Sequence, residues 1–269
     1  MNTDEQKKTE EFIKRVRLNI LKFSLAAGSD SAHIGGALSC SDIVGVLYKK
    51  YINVDGDNFE NRNRFILSKG HACLALYSCL VEIGLISQKE IETFEKNESK
   101  LLGHPVINRS IGIEFSTGSL GMGLSLGIGV ALSFKKSKKE NHVFILLGDG
   151  ECNEGSIWEA AMCAAHFKLN NITCFIDNNN FQQTGTNQQI MNNSNIKDKW
   201  KSFDWDVYEI NGHNVKEINE HILKETNKPK LILAKTIKGK GLKIAEGNNS
   251  WHHSIITKQQ YEEAVKYLK

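Results

Sequence analysis

Apolar positions recur at two different periods along this chain, and the change between them separates helices from strands. Phe12, Val16, Ile20 and Phe23 repeat at helical spacing, and Ile43, Val44, Leu47 and Tyr48 do so again, which predicts two amphipathic helices near the start. Gly28 and Gly56 are placed to end them. Arg64 to Leu67 reads as a short strand, after which Ser68-Lys69-Gly70 turns into an apolar helix running to about Ile83. A charged helix and the turn Gly103-His104-Pro105 follow. From there the alternation is regular. Val143 to Leu147 is a continuous apolar run of strand length, Gly155 to Lys168 has a helical pattern, and Ile172 to Ile176 is a second strand. Asp206 to Ile210 makes a third, Val215 to Lys224 a helix, and Leu231 to Thr236 a last strand. Strands that are apolar on both faces and alternate with helices predict an α/β fold: a doubly wound, mostly parallel sheet with helices on both faces. In such sheets ligands sit beyond the carboxyl ends of the strands.

Composition narrows the classes. With 269 residues, 40% of them hydrophobic, the chain has ample material for one domain over residues 1–269. Lysines and arginines (34) exceed acids (31) by only three, which argues against nucleic acid as the main partner. Two prolines, Pro105 and Pro229, and the absence of repetitive tracts leave no place for a flexible linker. The six cysteines never form a C-x-x-C pair, so buried free thiols are expected rather than zinc ligands or disulfides. Met1 to Glu11 is polar, with no secretory signal, and a reducing cytoplasm is the expected setting. The uncharged run from Phe115 to Phe134 has the length of a membrane span, but it holds five glycines, four serines and a threonine. That composition predicts a closely approached loop leading into a buried helix, and no membrane span.

Unusual residues gather where the ligand edge is expected. The strand Val143 to Leu147 ends in Gly148-Asp149-Gly150, a carboxylate between two glycines. Ser156 and Glu159 have capping-box spacing, which predicts a helix start whose free N–H groups favour an anion. The next strand runs into Asp177-Asn178-Asn179-Asn180, so Asp149 and Asn179 should emerge from neighbouring or near-neighbouring strands on one edge. Hard oxygen donors beside a phosphate site point to Mg²⁺ rather than zinc. Either piece alone would pass for a turn or a loop; together they make a specific pattern.

Gly148-Asp149-Gly150, followed after 27 residues by Asn178-Asn179, resembles the thiamine-diphosphate fingerprint. Ser31-Ala32-His33-Ile34-Gly35 is similar to the transketolase S-G-H-P-G, Ser68-Lys69-Gly70-His71 to its S-x-G-H, Gly103-His104-Pro105 to its G-H-P, and Thr117 to Gly121 to its T-G-x-L-G. The resemblance runs from about Phe12 to His252 and covers only the amino-terminal, diphosphate-binding half of a transketolase. It implies thiamine diphosphate and Mg²⁺, for which Ca²⁺ or Mn²⁺ can substitute. Asp149, Asn179 and the backbone carbonyl of Phe181 would ligate the metal. Gly150 and Asn179 would lie against the diphosphate, with Glu154, His71 and His252 in support. Gly118, Ser119 and Leu120 would approach the cofactor rings by backbone. The histidines His33, His71, His104 and His252 match the family's reaction channel, where neutral imidazole accepts a hydroxyl proton and imidazolium stabilises an alkoxide.

By the same resemblance the activating glutamate, the pyrimidine-binding domain and the C-terminal domain sit on a separate partner chain, in an α₂β₂ assembly that moves a two-carbon unit between sugars or sugar phosphates. Three departures bear on substrate: Ile34 stands where the family has proline, Thr184 where aspartate is common, and Trp251-His252-His253 replaces W-H-G, leaving the choice between His252 and His253 open. His142, His166, His213 and His221 are expected to be structural or solvated. Lys135 to Lys139 reads as a solvated helix end, and Lys238 and Lys240 as a solvated loop at the ligand edge. Three other readings stand beside this one: the alpha subunit of a 2-oxo acid dehydrogenase, a non-catalytic subunit of the same fold, and a nucleotide-type Mg²⁺–phosphate domain, for which no Walker or G-x-G-x-x-G pattern is present.

Overall fold

The computed structural model describes residues 1–54 and 60–268; Gly56, expected to end the second helix, lies outside them. The helices are α1 (Thr3–Ala27), α2 (Ile34–Lys50), α3 (Cys73–Glu82), α4 (Met122–Lys136), α5 (Gly155–His166), α6 (Asn187–Ile190), α7 (Ile196–Ser202), α8 (Val215–Leu223) and α9 (Lys258–Leu268). The strands are β1 (Arg64–Leu67), β2 (Val143–Gly148), β3 (Ile172–Asn178), β4 (Asp206–Asn211) and β5 (Lys230–Lys235). They form one sheet in the order β1-β2-β3-β5-β4, every pair parallel.

Side-chain alternation along the strands builds a core on each face. Phe144, Leu146, Phe175, Ile232 and Ala234 point to one side, where they meet α1, α2, α3 and α8. Val143, Ile145, Leu147, Cys174, Ile176, Leu231 and Leu233 point to the other, against α4, α5 and α7. The sheet is thus covered on both sides, as a parallel sheet requires. The edge strand β4 departs from the expected pattern, with only Ile210 of its residues buried, whereas the other edge strand, β1, is buried throughout.

Local rules explain several ends. Asn2 caps α1, its Oδ1 accepting from Glu5 N at 2.9 Å while Glu5 accepts in return from Asn2 N. The charged helix expected before Gly103 is only a short 3₁₀ turn, Glu90–Thr93, anchored by Ile91; too few apolar residues face the core to hold a full helix. α6, α7 and α9 were not expected from the pattern. The glycine-rich run is a loop as far as Gly121 and then α4, whose Gly123, Leu124, Gly127 and Ile128 face the sheet while Met122 and Leu126 are exposed. Among the described residues no helix is long and apolar enough to cross a membrane.

Candidate active site

Parallel pairing sets Gly148 of β2 opposite Asp177 of β3, so the chain leaves both strands at one level of the sheet edge. Asp149 and Asn179 follow immediately and line one cavity of about 640 Å³. The two strand ends are tied together: Asp149 Oδ2 accepts from Asn180 N at 2.7 Å and from Asn187 Nδ2 at 2.8 Å, and Asp149 Oδ1 accepts from Gly150 N at 2.9 Å. Asn180 takes a left-handed φ of 66°, a conformation asparagine tolerates, and that turn aims its N–H at the carboxylate. Burial first, then the negative charge of Asp177, pushes Asp149 up to about 6.

Asn179 is oriented by its neighbours. Its Nδ2 donates to Asp177 Oδ2 at 3.0 Å and to Ser39 Oγ at 3.3 Å, which leaves Oδ1 as the acceptor side, taking Phe181 N at 3.1 Å. Behind it, Asp177 is fully buried and ion-paired with Lys69, whose Nζ lies 2.5 Å away and which is itself only 2% exposed. Burial works against both charges, but each holds the other ionised: Lys69 keeps the carboxyl below its usual range, and Asp177 keeps the ammonium above its own. Ser39 and Thr236 hydroxyls also donate to Asp177.

Glu151 braces the same edge. Its Oε1 accepts from Ser68 Oγ at 2.5 Å and Gly121 N at 2.9 Å, and its Oε2 from Gly148 N at 3.0 Å, so one buried carboxylate joins β1, the turn before α4 and β2. The start of α5 is where the pattern put it, but no capping box forms. Glu154 is the N-cap residue, Ser156 is already inside the first turn, and its hydroxyl donates instead to Gly121 O at 3.1 Å.

Histidines cover the other wall. The His33 ring lies 5.5 Å from His71, 5.7 Å from His104 and 5.4 Å from His252, centroid to centroid. Burial, then the neighbouring imidazoles His253, His252 and His104, lowers His33 to about 3. Burial and Lys238 lower His252 to about 4, and His71 is driven well down by burial and Lys69. These three rings are therefore neutral at neutral pH, each with one donor and one acceptor nitrogen. Gly118, with φ 146°, brings its backbone against His104; a Cβ there would sit 3.0 Å from the ring.

Of the residues singled out from sequence, His33, His71, His104, Gly118, Leu120, Asp149, Gly150, Glu154, Asn179, Phe181 and His252 line this cavity. Ser119 does not; its side chain is exposed. His252 lines the cavity, whereas His253 sits beside it against Ser31 Oγ at 3.0 Å. Lys238 corrects the expectation of a solvated loop. It is 2% exposed and its Nζ reaches Asn249 Oδ1 at 2.6 Å and His252 Nδ1 at 3.0 Å, with burial lowering it to about 8. Lys240 stays near the surface, paired with Glu246. Sequence reading missed Lys69, Asp177 and Glu151, although a charged residue inside an apolar strand, as Asp177 is, marks a buried partner.

His142 bonds Thr173 Oγ1, His213 bonds Asp42, His221 bonds the Glu217 carbonyl and His166 packs on Phe167, all away from the cavity. The six cysteines are free, and all but the half-buried Cys163 are buried.

Three comparisons place this geometry. The family described as "Transketolase, thiamine diphosphate binding domain" matches residues 9–268. The chain belongs to this transketolase family. It is 42% identical over 94% of its length to one of the subunits of the apulose-4-phosphate transketolase of Phocaeicola vulgatus, covering 90% of that protein. To a 6-deoxy-6-sulfo-D-fructose transketolase subunit of a Clostridium species it is 37% identical, over 88% of each. The crystal structure of transketolase from Campylobacter jejuni superposes on the whole chain with a TM-score of 0.87 at 29% identity, but the chain spans only 43% of that protein. The fold is therefore the thiamine-diphosphate-binding fold of transketolases, and the domain type is one that binds thiamine diphosphate.

Close approach at this site makes one substitution informative. A Cβ on Gly70 would lie 2.7 Å from Gly118 N and from Thr117 C and O, all backbone atoms that cannot swing aside. Gly70→Ala is expected to destabilise the chain by about 1–3 kcal/mol by overpacking, read as a lowered denaturant midpoint. An unchanged midpoint would mean that the two segments do not meet.

Proposed function

We propose that this chain is the thiamine-diphosphate-binding subunit of a split, Mg²⁺-dependent transketolase: a single domain that transfers a two-carbon ketol unit from a ketose or ketose phosphate to an aldehyde acceptor. One observation carries the reading: a hard-oxygen nook at Asp149 and Asn179 shares a cavity with the histidines around His33. The donor set fits the metal. Among the described residues Asp149 Oδ1 accepts a single hydrogen bond and Asn187 Oδ1, buried beside Asp149, has no partner, while Asn179 turns its oxygen away from Asp177, so oxygen lone pairs remain for a hydrated hard cation.

Asp149, Asn179 and the Phe181 carbonyl would hold Mg²⁺, and Ca²⁺ or Mn²⁺ could take its place. Gly150 has no side chain to fill the space before Gln182, which suits a diphosphate approached by backbone. Lys238 and the N-terminus of α5 supply positive potential. When bound, thiamine diphosphate supplies the carbanion chemistry that breaks and remakes a C–C bond beside a carbonyl. The chain's own part is to bind, orient and exchange protons. His33, His71 and His252, held neutral, can accept a proton from a sugar hydroxyl and return it, and His104 adds a fourth ring. Four imidazoles suit a polyhydroxylated substrate better than a 2-oxo acid.

The names of the relatives, which are those of transketolase subunits, support a second polypeptide, here the one bearing the pyrimidine-binding domain and the activating glutamate, in an α₂β₂ assembly. Exposed Leu120, Ile190 and Met191 at the cavity give that partner an apolar seat. Six free cysteines suit a reducing cytoplasm. The test is co-expression with a transketolase pyrimidine-domain polypeptide, then a panel of ketoses and aldehydes. Ketol transfer is expected only with both chains, thiamine diphosphate and Mg²⁺ present. Decarboxylation of 2-oxo acids in its place, or full activity from this chain alone, contradicts the proposal.

A further inference from the structure

The segment that carries His33 is clamped to the segment after Trp251. Ala32 N donates to Ser254 O and Ser254 N donates to Ala32 O, both at 3.0 Å, forming an isolated antiparallel bridge. In an antiparallel pair, the residues next to a hydrogen-bonded pair face each other across the ladder with their side chains on a common side. That register sets His33 opposite His253 and explains why their rings are only 4.4 Å apart, the shortest separation that His33 makes with any ring described.

A second restraint comes from Ser31. Its backbone lies at φ 59° and ψ 176°, a region that is essentially glycine's alone, so the surrounding structure must hold it there. The strained turn points Ser31 Oγ at His253, 3.0 Å from Nδ1 and 3.1 Å from Nε2. The Ser31 hydroxyl proton goes to Asp30 O at 2.6 Å, and its oxygen, close to both ring nitrogens at once, packs against the His253 imidazole on the side between them. His253 is thus gripped from one side and presses on His33 from the other, while not itself lining the cavity.

We propose that His253 is a positioning residue: fixed by Ser31 and by the Ala32–Ser254 bridge, its ring sets the orientation in which His33 faces the cavity. The idea rests on the ketol-transfer reading for its catalytic consequence, but not for its structural one. Its chemistry is that of a rigid ring behind a proton acceptor, where a displacement of an ångström changes rates by up to roughly 100-fold.

The experiment is a double-mutant cycle on the two-chain enzyme together with histidine-labelled NMR of this chain. His253→Ala should lower kcat/KM roughly 10- to 100-fold, leave the affinity for thiamine diphosphate unchanged and shift the His33 ring resonances, assigned by their loss in His33→Asn. His253→Phe, which keeps a ring in place, should recover most of the rate. In the His33→Ala background, His253→Ala should add almost nothing, because its effect acts through His33. Additive losses, or a loss that His253→Phe does not relieve, would overturn the proposal, as would unmoved His33 resonances in His253→Ala. If the wild-type pair shows no ketol transfer, it is the functional reading that fails, and the NMR arm alone decides whether His253 positions His33.

Discussion

Replacing Asp149 by alanine is expected to lower the affinity for thiamine diphosphate in Mg²⁺ by at least about 100-fold, leaving no metal-dependent binding to measure by calorimetric titration. Removing one hard oxygen ligand and its charge takes away much of what a hydrated Mg²⁺ gains from the protein. The same substitution breaks the bonds from Asn180 N and Asn187 Nδ2 that tie the end of β2 to the segment after β3, together with the local bond from Gly150 N. Asp149→Asn therefore serves as the control, since it keeps the shape and an acceptor oxygen while removing the charge. Both variants should lose metal dependence, with Asp149→Asn retaining more of the wild-type melting temperature. Metal-dependent affinity that survives in either variant would reject Asp149 as a ligand.

The second large effect belongs to Lys69. Lys69→Met leaves Asp177 ionised or forces it to take up a proton, in either case deep in the core, and a broken buried pair typically destabilises by about 3–5 kcal/mol. Asp177 retains Ser39, Thr236 and Asn179 as donors, so the loss should fall short of complete unfolding. Adding Asp177→Asn to Lys69→Met removes the buried charge and should recover part of the lost stability, as measured by denaturant midpoints of the single and double variants. Equal midpoints for wild type and Lys69→Met would show that the pair contributes nothing. Because Asn179 Nδ2 donates to Asp177, the single variant is also expected to loosen the candidate metal site.

The sheet was legible because burial on both faces leaves the central strands mostly apolar: Val143 to Leu147 and Ile172 to Ile176 lie within β2 and β3, and the helix Val215 to Lys224 matches α8 to within one residue. The doubly wound α/β class followed from that alternation, and the shared ligand edge of Asp149 and Asn179 from Gly-Asp-Gly and Asn-Asn ending adjacent strands. Less legible were features decided by tertiary contact. The segment before Gly103 is charged and helical in propensity, yet its few core residues, Ile86, Ile91, Phe94 and Leu101, are too widely spaced to bury one helical face, so it forms a single turn. Ser156 has the spacing of a cap but lies two residues past the N-cap Glu154, and Gly121 O takes its hydroxyl. Lys238 sits beside a glycine in a run that reads as surface, and only the fold reveals that it is covered by Gln182, Asn249 and His252. α9 escaped notice because Ala264 is its only fully buried residue, although Tyr261, Val265 and Leu268 share its packed side.

The central claim is that a carboxylate from one strand end and an amide from the next grip a single divalent ion together with a diphosphate. The most direct measurement is a crystal structure of the two-chain complex grown with Mn²⁺ and thiamine diphosphate, with anomalous scattering used to locate the metal. One anomalous peak bonded to Asp149, Asn179 and the Phe181 carbonyl, with diphosphate oxygens completing its shell, is the predicted result. Cofactor bound with the manganese elsewhere, or no ordered ion between β2 and β3, would contradict it.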